Sequence, residues 1–203
     1  MAILRVSDGR VLASIEEINE IVKPMEIGRF PFDEQLRSRV EAMPQPLSAE
    51  NAKIIVESLD ASTRSRLKAE GYVSWRMGNV IAEEGGSYAF HQHFEGGGSG
   101  GAKKTADEMA AYLIPHYVLV RDIHFVFTGV IIKGVQLEND LQAICYVEPG
   151  EWIRLGPEVL NWPVFPVGKA VTGLSFYDQP AGPGQSWKMD LHTEIEVKPT
   201  MLF

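Results

Sequence analysis

The chain has 203 residues, with 27 acidic against 19 basic side chains and a formal net charge of −8. That balance excludes the basic footprint that grips nucleic acid and repels an anionic membrane surface, so the expected partner is a small-molecule substrate or another protein. The length suits a single domain over 1–203 that buries about 70% of its unfolded surface, and no run is long and apolar enough to span a bilayer.

Met1 to Gly9 carries charge at Arg5 and lacks the apolar centre of a signal peptide, which makes a cytoplasmic protein the expectation. Ser14 and Glu17 stand at capping-box spacing around Ile15, Ile18, Ile21 and Val22, predicting a short amphipathic helix over 14–25. A Pro-rich passage over 30–46 precedes predicted helices over 48–58 and 62–70, the last closed by Gly71. Residues 1–71 therefore read as a helical leader.

From Tyr72 the chain changes to short runs rich in Val, Ile, Phe and Tyr, separated by Gly, Pro, Asp and Asn. Strands are predicted over 72–82, 88–93, 117–128, 129–137, 141–147, 151–155 and 170–177. So many short strands after a helical leader predict a mainly β fold, a barrel or double-sheet jelly roll over 72–178 with room for a ligand inside. An insertion over 94–121 interrupts it. There the Gly96–Gly101 run reads as a hinge or lid and Lys103–Leu113 as a helix; the glycines lack the Gly-Lys-Ser/Thr ending of a phosphate loop. The tail over 179–203 has a turn-rich stretch from Gln179 to Gly184 and an alternating stretch over 193–197 that suits an edge strand. Cys145, the lone cysteine, sits in the apolar run Ala143–Val147 and reads as a buried, inert thiol of a reducing compartment.

Chemistry concentrates at His91-Gln92-His93. A His-x-His pair in a strand puts both imidazoles on one face, and Asp122 is the best third donor. Two histidines and a carboxylate leave positions open for substrate and dioxygen, the geometry of non-heme iron oxygenases. His124 lies two residues after Asp122 and shares its face. It is a candidate ligand, general base or internal hydrogen-bonding group. Glu95 is an alternative carboxylate. His116 and His192 read as structural, and Trp152 and Trp162 as wall or core residues.

The spacing resembles that of the cupins. Their first motif has a glycine, five residues, His-x-His, three or four residues, a glutamate, six residues and a glycine; their second reaches a histidine eleven positions after a glycine. Here Gly85 stands five residues before His91-Gln92-His93, Asp122 six before Gly129, and Gly150 eleven positions before Asn161. Within that superfamily the stretches Ser14–Ile21, Leu67–Tyr72, Asp122–Gly129 and Val147–Ile153 are similar in order to acireductone dioxygenases, and the resemblance extends from about Asp8 to Tyr177.

The resemblance implies a double-stranded β-helix with a divalent metal in its mouth, Fe(II) first and Ni(II) next, and a chelating enediol or hydroxy-keto substrate attacked by dioxygen. It maps His91, His93 and Asp122 onto metal ligands, with Asn161 in the place of the last histidine and Trp162 beside it at the substrate position. Three departures stand out. Asp122 is shorter than glutamate, Asn161 offers only a neutral amide oxygen, and 28 residues separate His93 from Asp122. Without the second-motif histidine, the methionine-salvage substrate is not expected. A metal-assisted isomerase, cyclase or lyase using His124 and Asp122, and a non-catalytic ligand-binding cupin that has lost its metal, stand as alternatives. The resemblance also admits a homodimer.

Overall fold

A computed structural model describes residues 1–84, 86–182 and 189–198. Gly85, Pro183 and Gly184, on which parts of the motif and tail readings fall, lie outside the described residues. The elements in chain order are β1 (Ile3–Val6), β2 (Val11–Leu12), α1 (Ile15–Ile21), β3 (Glu26–Arg29), α2 (Glu34–Glu41), α3 (Ala49–Ser58), α4 (Ala61–Ala69), β4 (Ser74–Glu83), β5 (Ser87–Phe94) and β6 (Ser99–Thr105). They continue with α5 (Ala106–Leu113), β7 (His116–Val118), β8 (Asp122–Thr128), β9 (Ile131–Gln136), β10 (Gln142–Val147), β11 (Glu151–Leu155), β12 (Asn161–Val164), β13 (Ala170–Tyr177) and β14 (Met189–Leu191).

The strands form two antiparallel sheets in a cupin-like jelly roll. One has the order β14-β7-β12-β9-β10-β1-β2 and the other β3-β11-β8-β13-β4-β5-β6. The leader is not purely helical: β1 pairs with β10 and β3 with β11, so the amino-terminal segment completes both sheets. The predicted strand over 117–128 is two strands in different sheets, β7 and β8, because the chain crosses over at 119–121. The glycine run is no free loop either. Gly96 and Gly97 turn with positive φ, and β6 then pairs along β5 with Gly101 opposite the His91 ring, where a side chain would crowd it. The stretch over 193–197 forms no strand; β14 pairs with β7 instead.

Five helix starts are set locally by Ser14, Asp33, Ser48, Asp60 and Thr105, each accepting a backbone N–H of its first turn. Trp162 lies flat over Gly134, its cross-strand partner, and any Cβ there would collide with the indole. Apolar side chains fill two spaces. Between the sheets at one end, closed by α1, lie Leu4, Ile18, Ile27, Val126, Cys145 and Ile153. Outside the second sheet, Ile123, Phe125 and Phe127 of β8 pack against Phe30, Ile55 and Leu67 of the helical layer. Each such fully buried side chain contributes about 1.5–3 kcal/mol. The other end of the space between the sheets stays open as a cavity.

Candidate active site in the barrel cavity

β8 runs between β11 and β13 and is buried on both faces, so alternation divides its side chains cleanly. The apolar Ile123, Phe125 and Phe127 point to the helices, which turns Asp122 and His124 inward. Register does the rest. Ser175 of β13 stands opposite His124 on one side and Arg76 of β4 on the other, while Tyr177 stands opposite Asp122. Three adjacent strands thus present the row Arg76, Ser175, His124 to the cavity. The facing sheet contributes His116 from β7 and Lys133 from β9. The cavity measures about 540 Å³, within the range that takes a small molecule, and its remaining walls are largely apolar, with Val80, Phe90, Phe94, Ile132 and Phe165 among them.

Hydrogen bonds link the polar groups into a chain. His124 Nε2 lies 2.9 Å from Asp122 Oδ2, and His124 Nδ1 lies 2.6 Å from Ser175 Oγ. With the Nε2–H donated to the carboxylate, Nδ1 accepts the serine proton. Asp122 Oδ1 is buried with no hydrogen-bond partner among the described residues. Opposite, Lys133 Nζ donates to Asn161 Oδ1 at 3.2 Å. Burial holds the Lys133 ammonium below the usual lysine range; the Asp122 charge opposes this and Arg76 adds to it. The Arg76 guanidinium lies 5.2 Å from the Tyr177 ring centre, and burial pushes that phenol up. His116 donates its Nδ1–H to the Ile114 carbonyl at 2.8 Å, and burial, with the Lys133 charge, keeps the ring below the ordinary histidine range.

The expected metal triad does not assemble. His91 and His93 share a face, but it is the outer one: in β5 they stand opposite Asn79 and Met77, while Phe90, Gln92 and Phe94 line the cavity. His93 Nε2–H donates to the Leu47 carbonyl at 2.7 Å, pinning the helical layer to the sheet. Both faces of this sheet are covered, one by the barrel and one by helices, so strand alternation alone does not choose between them. Trp162, expected near substrate, packs on Gly134 and Ile144 and is absent from the cavity wall. Asn161 is buried, and its amide oxygen is taken up by Lys133. Sequence reasoning missed Ser175, Lys133 and Arg76, and set His116 aside. One signal for His116 existed. Leaving three residues between, the interval the resemblance carries, leads back from Asp122 to Val118 and then His116, and His116 pairs in register with Asn161.

Those positions do not fit a divalent metal. Val118 has no donor atom, Asp122 and His124 are bonded to each other, and the neighbouring cation is the protein's own Lys133. Among the described residues no three His, Cys, Asp or Glu side chains gather as a metal-binding group.

No family model matches the chain, and no curated protein matches it. Among solved structures it is similar to acireductone dioxygenase from Bacillus anthracis with cadmium ion in active center, at a TM-score of 0.62 and 9% identity over 88% of this chain and 94% of that one. What the two share is the cupin-type fold.

Proposed function

We propose that this chain is an enzyme that moves protons on a small hydroxy-keto molecule held in the barrel cavity, with Asp122, His124 and Ser175 as the proton-handling chain. The observation that carries this reading is the continuous hydrogen bonding from Asp122 through His124 to Ser175 on the cavity wall. The carboxylate orients the imidazole, so His124 can take a proton from substrate or serine and return it. Ser175 sits on a strand paired on both sides. Its neighbouring backbone amides are committed to the ladder and offer no oxyanion hole, which favours proton transfer over acyl transfer. Isomerisation, cyclisation or elimination next to a carbonyl are the reactions such a base serves.

Solvent deuterium exchange into hydroxy-keto compounds, followed by nuclear magnetic resonance, tests the reading. The native chain is expected to exchange a carbon-bound hydrogen of at least one such compound, with a loss of about 10²–10⁴-fold in His124→Gln and Asp122→Asn. Exchange that survives both substitutions, or none at all across the series, refutes it.

A metal-dependent oxygenase acting with dioxygen is the second reading. It is favoured by the fold shared with a dioxygenase that carries cadmium in its active center. It requires a donor set that the described residues of this cavity do not gather.

A further inference from the structure

Among the described residues the charged side chains lining the cavity are Arg76, Lys104 and Lys133 against Asp122, an inversion of the chain's overall charge of −8. Asp122 accepts a hydrogen bond from His124 and forms no ion pair with any of the three among the described residues. Several cations elsewhere are paired: Arg121 with Asp178, Arg154 with Glu26 and Glu70, and Lys103, whose side chain leaves the other face of β6, with Glu83. Lys104, one residue on and turned inward, forms no ion pair among the described residues; neither do Arg76 and Lys133. Arg76 has only the face of Tyr177 beneath it, which leaves its guanidinium N–H donors without an acceptor among the described residues. Cations gathered in an apolar cavity without counter-charges are costly unless an anion enters.

Resting on the proposed function, we infer that the substrate is a small carboxylate, its carboxyl group received between the Arg76 guanidinium and the Lys133 ammonium and its reacting carbon turned to His124. The two cations come from opposite sheets and both line this one cavity. The planar guanidinium matches a carboxylate in two parallel hydrogen bonds. A phosphate dianion needs more donors. The backbone amides of the paired strands do not supply them, and the Asp122 carboxylate across the cavity opposes a second negative charge.

Calorimetric titration of the full-length chain with pyruvate, malate and 2-oxoglutarate, with pyruvamide and with inorganic phosphate, tests this. At least one carboxylate is expected to bind about tenfold or more tighter than both pyruvamide and phosphate. Arg76→Met and Lys133→Met should each weaken it about tenfold or more, and Arg76→Lys should restore part of the loss. Circular dichroism confirms that each variant is folded. No carboxylate binding by the folded native chain, equal binding of the amide, tighter binding of phosphate, or unchanged affinity in both Met variants overturns the inference. The titration is repeated on His124→Gln. Carboxylate binding retained there while the native chain exchanges no substrate hydrogen refutes the proton-transfer reading alone; exchange by the native chain without carboxylate preference refutes the present inference alone.

Discussion

At the residue scale the decisive side chain is Lys133. An ammonium facing an apolar cavity, hydrogen-bonded to Asn161 but paired with no carboxylate among the described residues, costs the folded state free energy. The sign follows from its lowered pKa: the unfolded chain binds this proton more tightly than the folded chain, so stability rises with pH as the unfolded value near 10.5 is approached. Lys133→Met should therefore raise the thermal midpoint at neutral pH. It should also flatten the alkaline rise. A lower midpoint in a scanning calorimeter, with the rise retained, means that the ammonium is a structural asset rather than a binding group. A residue kept against stability is what a functional site contains.

At the element scale, β5 and β8 show what alternation can and cannot reveal. Along β8 the pattern of apolar and polar residues is unambiguous, because only one face carries aromatic bulk for the helical layer; Asp122 and His124 are legible as inward from the sequence itself. Along β5 every residue but Phe94 is partly buried, so the pattern places His91 and His93 together without saying on which side. The facing is set by distant partners, the helical layer at Leu47 and the cavity at Gln92, which no local spacing encodes. Ser175 and Arg76 are illegible for the same reason. They become site residues only through the register of β13 between β8 and β4. The outward place of His93 has a consequence. His93→Ala should cost about 1 kcal/mol of stability, the worth of its bond to Leu47, and leave carboxylate binding and hydrogen exchange intact. Loss of binding in a stably folded His93→Ala variant contradicts that placement.

At the scale of the whole molecule, the β-rich half was readable because strand composition and turn residues recur from Tyr72 onward, and β10, β11 and β13 lie at their predicted places. The leader was less so: β1, with β2 beyond it, and β3 extend the two sheets by pairing with β10 and β11 across well over a hundred residues. No helix among the described residues is long and apolar enough to cross a membrane. The jelly roll fills one end with a packed core, and at the other it gathers from both sheets a carboxylate–imidazole–hydroxyl chain and cations that form no ion pair among the described residues. The account holds that the positive charge at this site belongs to the protein itself. Its most direct test is elemental analysis of the native chain after loading with Fe(II) or Ni(II) and desalting. Metal content far below one ion per chain, unchanged by Asp122→Asn, is the expected result. One tightly held ion per chain, lost in Asp122→Asn, contradicts the account.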